Sequence, residues 1–432
     1  MYFQKEIETM QRGELEALQL ARLKSTVKNA CESVPFYRER FALAGVKPAD
    51  IKALSDLRKF PFLNKDDFKN NYPSGLFARP MSEIKRIHAS SGTTGKPTVV
   101  GYTGNDLNSW SDMVARFIAA VGITEDDVAQ ISFGYGLFTG ALGLHYGLEK
   151  LGCAVIPMSS GNTEKQLMMM EDMGVTVLVA TPSYALYLSE VCREKGIRQR
   201  LKLRVGLFGA EGCTAEMREK IEQNFGIIAT DNYGMSELIG PGVSGECIER
   251  NGLHIAEDHF IAEIIDPDTL EVLPEGETGE LVVTSLTKEA LPVIRYRTRD
   301  ITRLTYEKCK CGRTHARMAK VVGRSDDMLI IKGVNVFPSQ IESVLMGVAQ
   351  ISPHYHITVG KNGLMDNLEV AVELTDASLL ESFAELEALQ QGIVQKLASV
   401  LGISAEVRLV EPNSLERFTG KAKRVTDLRK QG

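Results

Sequence analysis

From about residue 128 the chain repeats one rhythm, a short apolar run followed by a longer amphipathic stretch, and few folds accept it. The runs Val128–Phe133, Cys153–Pro157, Val175–Ala180, Leu203–Phe208 and Ile227–Thr230 are apolar almost without a break. Strands covered on both faces read that way, whereas half-exposed strands alternate. Between them Thr163–Met173, Ser183–Lys195 and Thr214–Phe225 carry helical spacing. An α/β fold with a doubly wound, mainly parallel sheet is therefore expected. Ligands of such sheets bind beyond the carboxyl ends of strands, and Gly209-Ala210-Glu211-Gly212 follows one such end directly.

The flanks read differently. Leu20, Leu23, Val27, Ala30 and Val34 recur at three and four residues, the mark of an amphipathic N-terminal helix. Past residue 250 the pattern turns to strands and tight turns, with Pro267-Asp268 and Pro274-Glu275-Gly276 as punctuation. After Asp326 comes helix (Pro338–Met346), strand (His354–Val359), strand (Leu368–Leu374), helix (Ser378–Val400) and strand (Glu406–Val410), a compact α+β unit. The expected organisation is a large N-terminal domain over residues 1–326, with additional β structure, and a small mobile C-terminal domain over residues 327–432. With no low-complexity linker between them, the joint is expected to be a short hinge.

Composition narrows the partners. Fifty Lys and Arg stand against 56 Asp and Glu, with no long basic run, so nucleic acid is not expected as a partner. No apolar stretch approaches the roughly 20 residues that span a bilayer, and the N-terminus lacks a signal-peptide pattern. Seven cysteines, an odd number, in a chain with no secretory features point to a reducing, cytoplasmic setting. Oligomeric state is open, with a homodimer as the candidate assembly.

Five segments carry the chemistry. Ser90-Ser91-Gly92-Thr93-Thr94-Gly95-Lys96-Pro97 is a hydroxyl-rich, glycine-punctuated loop ending in a lysine, suited to cradling phosphates. It is not a Walker A loop: Pro97 stands where magnesium-binding Ser or Thr would be needed. Apolar flanks at Ile84–Ala89 and Thr98–Tyr102 place it between two strands. Tyr233-Gly234-Met235-Ser236-Glu237 is the second segment. Tyr296-Arg297-Thr298-Arg299-Asp300, Gly323-Arg324-Ser325-Asp326-Asp327 and Gly420-Lys421-Ala422-Lys423-Arg424 follow in order.

Together these segments resemble the signature loops of the adenylate-forming superfamily of acyl-CoA synthetases, adenylation domains and luciferases. Within it the chain is similar to phenylacetate-CoA ligases, through Phe133-Gly134-Tyr135-Gly136-Leu137-Phe138-Thr139-Gly140, Glu257-Asp258-His259-Phe260 and Lys332-Gly333-Val334-Asn335-Val336-Phe337-Pro338. The resemblance spans essentially the whole chain. It implies ATP-dependent ligation of an aryl-acetic acid, phenylacetate first, to coenzyme A through an acyl-adenylate, with AMP and pyrophosphate released. Two other readings stay open: an adenylating enzyme that uses another aryl acid or loads a carrier protein, and a non-catalytic nucleotide-binding protein.

The resemblance also assigns roles. Ser90, Ser91, Gly92, Thr93, Thr94, Gly95 and Lys96 would hold the β- and γ-phosphates of ATP. Glu237 would bind Mg2+, a hard cation that wants carboxylate oxygen. Gly209, Ala210, Glu211, Gly212, Asp231, Asn232, Tyr233, Gly234, Met235 and Ser236 would line the nucleotide. Asp300 would accept from the ribose hydroxyls, with Arg324 supporting the same region. Lys421, directly after Gly420, would be the catalytic lysine in preference to Lys423. Asp326 would be the hinge, and Lys332 and Gly333 would belong to the face used in thioester formation. The commoner superfamily wording has glycine where Arg299 stands, and the sequence gives that arginine no task.

Two expectations rest on residue chemistry. Phe133, Tyr135, Phe138 and Ala141, with glycines around them, suit a pocket for a flat aromatic ring. Cys309-Lys310-Cys311-Gly312 resembles half of a zinc knuckle. Cys247 and His254 would complete a closed, four-ligand structural Zn2+ site, with His315 as a substitute for His254 and His259 as a competing histidine.

Overall fold

The computed structural model describes residues 1–90, 96–332, 334–362, 365–418 and 422–430. It divides into two compact units. The first comprises Met1–Ala180, Gln199–Ala210 and Ile227–Val321. It opens with a short helix, α1 (Lys5–Glu8), and continues through α2 (Arg12–Ser33), α3 (Pro35–Leu43) and α4 (Lys65–Asn70). As the spacing implied, α2 buries Leu23, Val27 and Ala30 on one face, and Val34 just beyond its end.

A hairpin, β1 (Arg86–Ala89) and β2 (Val99–Tyr102), leads into α5 (Gly104–Ala120). The residues between the two strands include Ser90 and Lys96; residues 91–95 lie outside the described ones. Then the expected alternation runs β3 (Val128–Ile131), α6 (Gly140–Leu151), β4 (Ala154–Ile156), α7 (Thr163–Asp172), β5 (Val177–Ala180), α8 (Pro182–Glu194), β6 (Val205–Gly209), α9 (Ala215–Phe225) and β7 (Ile228–Met235). β4, β3, β5, β6 and β7 lie side by side and parallel. Parallel neighbours need crossovers, and each connection from β3 to β7 carries a helix of about the length such a pair demands.

The sheet does not stop there. β8 (Gly240–Glu246) turns back antiparallel on β7, and β9 (Leu253–Ile255) pairs with β8. A second sheet follows, with β10 (Phe260–Ile265), β11 (Gly279–Ser285) and β12 (Tyr296–Thr302) antiparallel in chain order. β13 (Leu304–Thr305) and β14 (Arg317–Met318) return to the edge of the first sheet beside β9. β8 was not legible as a strand, because Gly-Pro-Gly-Val-Ser-Gly reads as a turn. Packing explains it. A Cβ at Gly245 would come within 2.6 Å of the Phe117 side chain on α5, so the strand trades side chains for close approach to the helix.

The second unit comprises Thr181–Arg198, Glu211–Gly226 and Val322–Gly432, so α8 and α9 group with the C-terminal residues. Its later part holds β15 (Gly323–Arg324), a hairpin of β16 (Leu329–Ile331) and β17 (Val334–Val336), α10 (Pro338–Met346), and the long hairpin β18 (Ile351–Asn362) and β19 (Met365–Leu374). α11 (Phe383–Leu401) precedes β20 (Glu406–Val410), parallel to β19, and β21 (Val425–Asp427) lies parallel to β18. Ile341, Leu345, Ile357, Val370 and Leu397 fill this unit's own core. The helix read as Ser378–Val400 splits: Ala377–Glu381 is a 3-10 turn, and Ser382, extended at φ −112° and ψ 96°, separates it from α11.

Candidate functional site

The carboxyl ends of β6 and β7 gather the nucleotide residues that the sequence nominated. Gly209 closes β6 because only glycine fits: an added Cβ would meet the Asn232 carbonyl oxygen at 2.7 Å. Asn232, on the neighbouring β7, donates its side-chain amide to the Phe208 carbonyl at 2.6 Å, which locks the two strand ends together. Ala210 then turns left-handed at φ +71°, and Asp231 is tied by its backbone N–H to Glu246 at 2.8 Å.

Tyr233 and Asp300 meet. The phenol donates to Asp300 Oδ2 at 2.6 Å, and the Asp300 side chain is otherwise set by its own backbone N–H bonded to Thr298 Oγ1 at 3.1 Å. Asp300 is buried, and the phenol gives its carboxyl group a committed donor. Arg299, immediately before, sits at φ +68°. That left-handed backbone is one glycine adopts without strain. Here an arginine takes it and points its guanidinium to Glu280, 3.5 Å away, where Arg297 makes the closer pair at 2.7 Å.

The segment Gly234 to Glu237 forms the β7–β8 reversal. A Cβ on Gly234 would fall 1.7 Å from the Gly240 carbonyl oxygen, and the Leu238 and Ile239 N–H groups both bond the Met235 carbonyl. Ser236 Oγ lies 3.2 Å from Thr139 Oγ1 at the start of α6. Glu237 is buried, and Lys288 Nζ donates to its backbone carbonyl at 3.1 Å. Lys288 was not singled out in the sequence. It is almost fully enclosed and packs over the Tyr102 ring at 5.0 Å. Burial pulls its pKa down to about 8, with Asp106 and Glu237 opposing the shift.

On the loop between β1 and β2, the Ser90 hydroxyl is buried with no partner among the described residues, and Lys96 holds its ammonium 5.2 Å over the Tyr72 ring. Ser91, Gly92, Thr93, Thr94 and Gly95 lie outside the described residues. Along the aromatic segment, Phe133 and Tyr135 are partly buried, Ala141 is buried and Phe138 is 49% exposed. The Tyr135 hydroxyl is 3.0 Å from His145 Nδ1. Beside α6 a cavity is lined by Trp110, Leu142, Gly143 and Tyr146, none of them among the four residues expected to receive an aromatic ring.

Four more ligand atoms converge away from these strand ends. Cys247 directly follows β8, His254 lies on β9, and Cys309 and Cys311 sit in the loop from β13 to β14. Their ligand atoms all lie within 4.8 Å of one another. Cys247 and Cys309 sulfurs are 3.8 Å apart, and Cys311 Sγ is 3.4 Å from His254 Nε2. Tetrahedral zinc with bonds near 2.3 Å to sulfur and 2.0 Å to nitrogen puts neighbouring ligands about 3.5–3.8 Å apart. The donor set therefore fits that ion, and 3.8 Å is far from a disulfide. The rival histidines are engaged elsewhere. Both ring nitrogens of His315 face backbone carbonyls, of Ile255 and Ile7, at 3.0 Å. His259 lies 3.1 Å from Asp258 and 2.7 Å from Thr287.

Within the second unit, Arg324 forms a two-pronged pair with Asp326, at 2.8 and 2.9 Å. Lys332 turns left-handed at φ +52° with its N–H 3.2 Å from Asp366. Glu211 uses both carboxylate oxygens, accepting from Ser183 N–H at 2.7 Å and from Ala422 N–H at 2.9 Å. Arg424 caps the same group, donating to Ser183 Oγ at 3.0 Å and pairing with Glu342. Gly333, Gly420 and Lys421 lie outside the described residues. Among the described residues no helix is long and apolar enough to cross a membrane.

Known proteins share this arrangement along its full length. A family model described as AMP-binding enzyme matches residues 63–287, and one described as AMP-binding enzyme C-terminal domain matches residues 333–429. The phenylacetate-coenzyme A ligase of Thermus thermophilus is 48% identical, with 100% of each chain covered. That of Aromatoleum evansii is 52% identical over 98% of this chain and 96% of its own. Among solved structures, 2-hydroxyisobutyryl-CoA ligase in the postadenylation state with 2-HIB-AMP superposes with a TM-score of 0.93 at 29% identity, covering 100% of this chain and 93% of that one. The chain belongs to the AMP-binding, adenylate-forming enzymes, in their phenylacetate-coenzyme A ligase family.

Proposed function

We propose that this protein joins phenylacetate to coenzyme A at the expense of ATP. The observation that supports it best is the Tyr233–Asp300 pair at the strand ends, two residues of separate signature loops in a chain about half identical to phenylacetate-coenzyme A ligases. A carboxylate is a poor acyl donor because its leaving group would be oxide. In the first step a substrate carboxylate oxygen attacks the α-phosphorus, and the bond from that phosphorus to the pyrophosphate oxygen breaks. In the second step the coenzyme A sulfur, its proton lost, attacks the acyl carbon; the bond to the AMP oxygen breaks and AMP leaves.

The chain's residues divide this labour. Ser90 to Lys96 position the outer phosphates. Asp300, oriented by Tyr233, accepts from the ribose hydroxyls, and Gly209 to Gly212, Asp231 and Asn232 frame the base. Glu237 holds Mg2+, which when bound offsets phosphate charge. Lys421 supplies a point charge beside the α-phosphate during the first step, and Arg324 supports the nucleotide. Phe133, Tyr135, Phe138 and Ala141 receive the aromatic ring. The small domain, residues 327–432, turns about Asp326 so that Lys332 and Gly333 serve the second step. Cys247, His254, Cys309 and Cys311 hold a structural Zn2+ that takes no part in the reaction.

The test is thioester formation from ATP, coenzyme A and a panel of benzoate, phenylacetate and phenylpropionate, followed by mass and AMP release. Phenylacetyl-CoA formed fastest, with AMP in equal amount, is the expected result. Adenylate and pyrophosphate without thioester would point to a carrier protein as the true acceptor. Nucleotide binding with no pyrophosphate release would end the enzymatic reading.

A further inference from the structure

The loop that brings Cys309 and Cys311 to the metal-binding cluster also grips the first dozen residues of the chain. Between β13 and β14 the backbone forms no helix or strand, only a turn closed by Gly312 N–H on the Cys309 carbonyl at 3.0 Å. From this turn onward nearly every polar group points at the N-terminal arm. The Tyr2 hydroxyl donates to the Cys311 carbonyl at 2.7 Å. Arg313 donates to the Glu8 carboxylate at 2.7 Å and to the Met1 carbonyl at 2.6 Å. Thr314 donates its hydroxyl to the Met10 carbonyl at 2.6 Å, and its own carbonyl accepts from Arg12 at 3.1 Å. Glu8 and Arg313 are both buried, so this pairing is enclosed by protein.

The arm cannot hold itself. α1 has only four residues, far below the length at which an isolated helix persists. The loop has no ladder of its own either. Its far end is tied down by His315 on the Ile255 carbonyl and by Ala316 N–H on Glu257, and its near part meets the sheet through the cluster: Cys247 and His254 stand on or beside strands of the large sheet, while Cys309 and Cys311 belong to the loop. A tetrahedral ion there would tie an irregular segment to a rigid one.

We infer that the metal centre is the fastener of the N-terminal arm: zinc shapes the loop over residues 306–316, and the loop in turn clamps residues 1–12. This rests on the zinc reading above. The protein purified without chelators is first analysed for metal, and about one zinc per chain is expected. Zinc is then withdrawn by prolonged dialysis against a strong chelator under reducing conditions, which leaves the cysteines free, and amide hydrogen exchange is followed by mass spectrometry. Peptides covering residues 1–12 and 306–316 should exchange at least tenfold faster, those covering β3, β5 and β6 should not change, and added zinc should restore the slow rates. Arg313→Ala, which removes a side chain bonded to the arm and keeps the backbone N–H that faces the Cys311 sulfur, should loosen residues 1–12 while zinc stays bound.

Absence of zinc from the purified protein would remove the metal reading and this inference with it. Zinc present, but exchange of residues 1–12 unchanged on its withdrawal, would overturn the inference and leave the metal site standing. Undiminished protection of the arm in Arg313→Ala would likewise show that the loop is not what holds it.

Discussion

The Tyr233 hydroxyl and the Asp300 carboxylate, 67 residues apart in the chain, are joined by a 2.6 Å hydrogen bond at the carboxyl end of β7. A short bond to a carboxyl oxygen that is itself buried is costly to lose. If Asp300 grips the ribose, the tyrosine works through it. Tyr233→Phe should raise the KM for ATP about 5- to 30-fold, from roughly 1–2 kcal/mol of lost orientation. The kcat at saturating ATP should move much less. Asp300→Ala should raise KM further, and combining the two should add little to Asp300→Ala alone. Fully additive effects would mean that the two residues act separately.

Lys288 offers a prediction about stability. Its pKa is held down to about 8 by burial, against 10.5 for the free side chain, and Asp106 and Glu237 only partly compensate. The unfolded chain therefore binds the extra proton more readily than the folded one between pH 8 and 10.5. Burial of the charge costs about 3 kcal/mol in full below pH 8, and the cost is relieved as pH rises through that window. Lys288→Met should thus stabilise the protein at pH 7, by roughly 1–2 kcal/mol once the lost bond to the Glu237 carbonyl is deducted. The gain should vanish by about pH 10. Denaturant midpoints at the two pH values decide it; a loss at pH 7 would show that the lysine is a net support.

How far such features could be read from the sequence depends on how local they are. The parallel half of the sheet was legible because β3, β5 and β6 at its centre are buried almost throughout and announce it residue by residue, while β4 at the edge keeps an apolar run though only partly covered. That Cys247, His254, Cys309 and Cys311 would converge was legible from ligand chemistry alone, although Cys247 and Cys309 are 62 residues apart. β8 was not, since its meaning lies in the space that α5 leaves for its glycines. Lys288 was not, because a Lys-Glu pair reads as surface until tertiary contacts enclose it. The Glu211 bridge from Ser183 to Ala422 has no local signature either: one carboxylate satisfies two backbone donors from segments over 200 residues apart.

Lys421 precedes Ala422, whose N–H is held by Glu211 at 2.9 Å. With Lys421 as the charge beside the α-phosphate, Lys421→Ala should lower adenylation on the order of a hundredfold or more, as loss of a preorganised charge does. Thioester formation from supplied phenylacetyl-adenylate should persist, because that step breaks no bond at phosphorus. Lys423→Ala should be mild in both assays. Equal loss in the two half-reactions for Lys421→Ala would remove the assignment.

Asp326 poses the hinge question in a form that two variants can separate. Two half-reactions share one acyl carbon yet need different groups beside it, and a domain that turns about a short joint can present both. Asp326 also takes the Arg324 guanidinium on both carboxylate oxygens, at 2.8 and 2.9 Å, so a substitution there removes an exposed ion pair as well as altering the backbone. Asp326→Ala breaks the pair and leaves φ and ψ free; at an exposed site that should cost at most about 1 kcal/mol and spare both half-reactions. Asp326→Pro breaks the same pair but fixes φ near about −65° and deletes the N–H donor. If the joint turns at this residue, the proline variant should keep pyrophosphate exchange near the unmodified rate and lose most thioester formation, while the alanine variant keeps both. Parallel behaviour of the two variants would place any loss in the ion pair and the pivot at another residue.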